Sequence, residues 1–159
     1  MAGGNEGKGD FGMSFTGVDS LDRSIDKANA WLADIDDGFG TSDRRLAYRV
    51  LRAWLHSLRD RLSVEVAAHF AAQLPELLRG LFFDGWNPSR VPQKYDRDEY
   101  LARFAAEANV RESDVRKAAG IVTAVARRHM SDGVVNQALE RLPATLRDLV
   151  DPAAAGTRG

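Results

Sequence analysis

Apolar residues recur along this chain at helical spacing, and nowhere does a strand-like alternation persist over several residues. In residues 19–37, Leu21, Ile25, Ala28, Leu32 and Ile35 share one face at 100° per residue. The run Gly38-Phe39-Gly40 ends that helix, and Thr41 or Ser42 is placed to cap the next. Residues 43–61 read as the longest helix, with Ala47, Leu51, Trp54, Leu55, Leu58 and Leu62 on one stripe. Ser63 caps a short third helix. Pro75 opens a fourth that runs to about Phe83, because a first helical turn has no need of the missing N–H. Four more helices follow at 96–109, 112–129, 132–141 and 143–150. The expected fold is all-α, with about eight helices.

Eight helices arise from four by repetition. Residues 62–82 lie over residues 130–150 without a gap. Ser63 meets Ser131, Leu74-Pro75 meets Leu142-Pro143, Leu78-Arg79 meets Leu146-Arg147, and Leu81 meets Leu149. Upstream the match needs a shift of about three residues. There Trp31-Leu32 faces Tyr100-Leu101, and Ala47 faces Ala118. The expectation is one domain over residues 18–151, built from two pseudo-symmetric four-helix repeats at 18–86 and 95–151. The Gly-rich segment 1–17 and the small, polar segment 152–159 read as disordered tails, with docking of Phe11, Met13 and Phe15 as the alternative for the first. Phe82, Phe83 and Trp86 begin the joint between repeats. They either fill the seam or form an exposed aromatic patch.

Certain segments carry a resemblance. They are RRLAYRVLR (Arg44 to Arg52), HSLRDRL (His56 to Leu62), AAHFAAQLP (Ala67 to Pro75) and LRGLFFDGW (Leu78 to Trp86). Together with ARRHMSDGVVNQALERLPATLRDL further on, they resemble a bacterial family known only as domain of unknown function 2267. The likeness runs from Asp22 to Pro152. It implies a small all-helical bacterial protein, and it supplies no activity and no catalytic residue to carry over.

Composition narrows the chemistry. At 159 residues, 44% apolar and 28% charged, the chain is globular and long enough to bury a core unaided. Without cysteine it has no disulfide, thiolate metal site or thiol nucleophile. A net charge of −1 gives no overall pull toward nucleic acid or membranes. No apolar run approaches the roughly 18 residues of a membrane helix, and the first residues lack a basic start followed by an apolar core. The expected location is therefore cytoplasmic.

Charge is nonetheless patterned. Residues 44–61 hold six arginines and a single acid, Asp60. Arg45, Arg49, Arg52, His56 and Arg59 fall on the side of their helix opposite the apolar stripe. Such a stripe suits phosphates or an acidic partner. It also suits pairing with the first helix, which carries Asp19, Asp22, Asp26, Asp34, Asp36 and Asp37. The three histidines, His56, His69 and His129, lack the spacing that brings two metal ligands together on one helix. Neither a phosphate-binding glycine loop nor a nucleophile elbow is present. The sequence thus points to a non-catalytic interaction module without cofactor or metal. It would bind a protein partner or a second copy through the Phe82–Trp86 region or the groove between the repeats, with Phe83, Trp86, Arg45, Arg49, Arg52, His56 and Arg59 as the candidate partner surface. A nucleic-acid binder using that face, and an enzyme with a pocket between the repeats, are the alternatives.

Overall fold

The computed structural model describes residues 15–153, and among these all regular structure is helical. Eight α-helices follow one another: α1 Asp19–Phe39, α2 Arg44–Arg59, α3 Val64–Ala72, α4 Glu76–Phe83, α5 Arg97–Ala108, α6 Val115–His129, α7 Asp132–Leu139 and α8 Ala144–Val150. Short 3-10 turns at Pro88–Arg90 and Glu112–Asp114 precede α5 and α6. Phe11 and Met13 lie outside the described residues, as do residues 1–14 and 154–159 of the expected tails. Phe15, at the edge of the described part, is exposed.

Local chemistry sets the helix ends. Gly40, at φ 72°, adopts the left-handed conformation that closes α1, and its N–H reaches back to Asp37 O. The cap of α2 is Asp43, whose carboxylate accepts the Leu46 N–H, rather than Thr41 or Ser42. α1, not α2, is the longest helix. Ser63 and Ser131 cap α3 and α7 in the same way, each accepting the N–H three residues on. Pro75 (φ −56°, ψ 150°) and Pro143 (φ −58°, ψ 154°) stand one residue before α4 and α8 in matching extended conformations. Arg79 and Arg147 each return a guanidinium to the carbonyl before their proline, Leu74 O at 2.9 Å and Leu142 O at 3.4 Å.

Packing centres on α2. It meets α1 and α4 of its own half and crosses both α5 and α6 of the other. α1 in turn packs on α6, and α3 on α7. Within α5–α8, α6 and α5 both meet α8, as α2 and α1 both meet α4. A side chain at Gly38 would come within 2.6 Å of Ile121, so glycine permits the close crossing of α1 and α6. The interior holds Trp31, Trp54, Phe70, Phe82, Tyr100 and Phe104, all nearly sealed from solvent. Burying one such side chain contributes roughly 1.5–3 kcal/mol.

Polar bonds stitch the halves. The Trp54 indole N–H donates to Thr123 Oγ1 at 3.0 Å in a dry interior. The His129 ring stacks 5.2 Å from Trp31 and bonds Asp34 at 2.7 Å. The connector between halves is tied down along the end of α2. Gln93 N–H donates to Asp60 O, Arg61 donates to Gln93 O and Tyr95 O, and the Tyr95 hydroxyl donates to Ser57 O. Burial pushes the Tyr95 and Tyr100 hydroxyls up from their ordinary value, so both stay protonated.

Candidate partner interface

The aromatic residues expected at the joint form a row of rings. Phe82 lies 5.4 Å from Phe70 and 5.0 Å from Phe83, and Phe83 lies 4.9 Å from Trp86. This row leads back through Phe70 to Trp54, inside the first half. Phe83 and Trp86 are half-buried, and the Trp86 indole nitrogen is sealed from solvent without an acceptor. The rings thus brace the end of α4, while the seam itself is made by α2 against α5 and α6.

The arginine stripe is not one exposed face. Arg45 is exposed and has no hydrogen-bond or ion-pair partner among the described residues. Arg49 Nε donates to Ala108 O at 2.8 Å. Arg52 bridges Glu107 at 3.1 Å and Asp84 at 2.8 Å, with the Tyr48 hydroxyl 3.4 Å away. The Asp84 hydrogen bond raises the Arg52 guanidinium above its ordinary value, and Arg52 in turn holds the Asp84 carboxyl below its own. His56 and Arg59 are buried, a correction to the expectation that they project from the polar side. His56 Nδ1 lies 2.6 Å from Glu107 Oε2 and Nε2 lies 2.8 Å from Leu81 O, so only the doubly protonated ring donates to both. Arg59 NH1 donates to Phe82 O and Asp84 O, capping the open carbonyl end of α4. The physical reason is α5 together with the end of α4, which holds Arg59 through Phe82 O and Asp84 O and His56 through Leu81 O. α5 packs across the polar side of α2, so α2 has neighbours on opposite sides.

Pairing with the acidic first helix accounts for Arg44, which meets Asp36 at 2.7 Å. Arg49, Arg52, His56 and Arg59 bond mainly to the end of α4 and to α5, with Tyr48 and Asp60 as partners from the α2 segment itself. His69 is exposed on α3, and among the described residues no group of three or more His, Asp or Glu is placed to hold a metal. No helix among them is long and apolar enough to cross a membrane.

One surface feature was not singled out in the sequence. A cleft of about 410 Å³ lies between α1, α2 and α4. Ala28, Leu32, Leu51, Leu77, Leu78 and Leu81 give it an apolar lining. Tyr48, Arg52 and Asp84 edge it, and Gly80 leaves a gap in its wall. Leu77 is 52% exposed and Tyr48 43%, so both present apolar surface to solvent beside the cleft. A depression lined by Thr16, Leu21, Ile25 and Glu76 shares Leu77 with it. Another, lined by Arg44, Arg45 and Arg49, shares Leu32 and Tyr48. The three depressions thus adjoin through shared side chains, as a furrow along α1. Two signals in the sequence mark it: the adjacent pair Leu77-Leu78, too wide for one buried stripe, and a glycine in mid-helix at position 80.

An all-α domain with an open furrow between its first, second and fourth helices is the class this geometry defines. The family model described as "Uncharacterized conserved protein (DUF2267)" matches residues 28–149, and the chain belongs to that family. No curated protein matches it.

Proposed function

We propose that this chain is a non-catalytic helical interaction module that receives the apolar face of another protein in the α1–α2–α4 furrow. The observation that carries this reading is the exposed apolar lining, with Leu77 and Tyr48 open to solvent above the half-buried Leu32 and Leu81. Nucleic acid has less support, because Arg52, His56 and Arg59 already bond to Glu107, Asp84 and backbone carbonyls. The same packing supports an ancestral duplication. The caps, prolines and returning arginines of α3–α4 recur at α7–α8, and the helices pack in reciprocal pairs.

The test is partner capture by wild type and by two single variants. Leu77→Glu places a charge in the furrow. Val64→Glu places one on exposed α3, away from it. A partner held by wild type and Val64→Glu but lost by Leu77→Glu supports the reading. A partner held equally by all three removes it.

A further inference from the structure

The furrow's shape and charge narrow the occupant. From Leu21 to Leu32 it follows α1 for about 17 Å, room for some three turns of a second helix. Its walls are helices whose backbone groups already bond within each helix, so they offer no free edge on which a strand could pair. What remains is side-chain packing against leucines, the mode in which an amphipathic helix is bound. Gly80 adds to this. A Cβ there would meet nothing within 4 Å, so no internal contact requires glycine at a mid-helix position where it costs stability. Glycine facing an open cleft lets another backbone come close.

Positive charge gathers at the Tyr48 end, while Asp84 and Glu76 lie elsewhere in the lining. Arg44, Arg45 and Arg49 line the furrow beyond Tyr48. Arg45 is unpaired among the described residues, and Arg49 uses only Nε, on Ala108 O. Two guanidinium groups beside an apolar trough suit carboxylates flanking an apolar helix face.

Resting on the module reading above, we infer that the occupant is an amphipathic helix with acidic residues beside its apolar face, seated over Gly80 with its acids against Arg45 and Arg49.

The experiment is selection from a display library of helix-forming 18-residue peptides in which apolar and flanking positions vary. Selected peptides are then measured by fluorescence anisotropy. Enriched peptides should carry Asp or Glu flanking a leucine-rich face. Arg45→Glu should weaken their binding about tenfold or more, and a Lys-for-Glu peptide should recover it on that variant. Gly80→Leu should weaken every selected peptide. Arg45 is exposed and unpaired, so its variant keeps the fold, which circular dichroism checks.

Selected helices without acidic bias, or indifferent to Arg45→Glu, overturn the charge inference while leaving the furrow as a binding site. Peptides indifferent to Leu77→Glu and Gly80→Leu overturn the furrow reading itself. Dimerisation of the chain that Leu77→Glu abolishes in sedimentation would assign the furrow to a second copy. Duplex DNA binding with a steep salt dependence, lost in Arg45→Glu, would assign the arginines to phosphate.

Discussion

Two regions, α1–α4 and α5–α8, bury differently the positions that the sequence match pairs. In the first half Tyr48 is exposed, and Arg52 and Leu81 are half-exposed along an open furrow. By the sequence match, their counterparts are Ala119, Thr123 and Leu149, all buried. The chain after α8 supplies the cover. Pro152 lies against Gly120, so that a Cβ there would sit 2.9 Å from its ring, and Thr123 Oγ1 lies 2.7 Å from Val150 O. Asp151 then locks the segment by a paired contact with Arg127 at 2.7 and 3.0 Å. After α4 the chain turns away through Asp84-Gly85-Trp86 instead, and Arg52 meets an exposed Asp84. One half closes its cleft with its own chain, and the other leaves it open. That difference, more than any single residue, locates the candidate interface in the first half.

The comparison presumes that the halves share one interior, and Trp54 is where this is most easily broken. Its ring is buried, and its N–H crosses to Thr123 on α6. Trp54→Ala should cost about 3–5 kcal/mol in denaturant unfolding, through a large cavity and the lost bond. It should do so in one cooperative transition, since both halves lose a neighbour. Two separated transitions would show that each half is stable alone.

Glycine substitutions sharpen the contrast, because the halves predict opposite signs. Gly120→Ala drives a methyl against Pro152 and should destabilise by about 1–3 kcal/mol as the covering segment shifts. Gly80→Ala meets open space and should stabilise by about 0.5–1 kcal/mol through helix propensity. Thermal unfolding of the two variants reads both signs. Equal signs would mean that the two clefts are not covered differently.

How far the sequence carried is plain from particular residues. Helical periodicity, Ser63 and Ser131 as caps, and the two Leu-Pro steps gave all eight helices, with ends within a few residues, because caps and prolines act locally. Asp43 displaced Thr41 and Ser42 as a cap, a choice among neighbouring side chains that pattern does not rank. The burial of His56 and Arg59 could not be read from α2, since it depends on α5 and on the end of α4, distant along the chain, packing over the polar face. The furrow was missed for a related reason. Leu21, Leu32, Leu77 and Leu81 look like core residues by type, and only the path of the chain after α4 leaves them uncovered. Arg45 was legible as a candidate from its place opposite the apolar stripe, and among the described residues no partner engages it.

The smallest expected effect separates the two aspartates that follow α4 and α8. Arg52 holds the Asp84 carboxyl below its ordinary value of 3.8. A carboxylate depressed in the folded state adds stability that is fully present above that ordinary value. As the pH falls below 3.8, the unfolded chain takes up its proton first and the contribution shrinks. It is gone once the folded carboxyl is protonated too. Asp84 is exposed, so solvent screens its pair, and Asp84→Asn should lower the melting temperature only slightly at neutral pH. Asp151 is buried with two bonds to Arg127, and Asp151→Asn should lower it clearly more. Melting curves between pH 7 and pH 3 should show the small gap between wild type and Asp84→Asn closing below about pH 4. A gap that stays constant through that range would mean that Asp84 acts through its place in the turn, not through its charge. Arg52 would then answer mainly to Glu107, and the edge of the open furrow would be held from the second half.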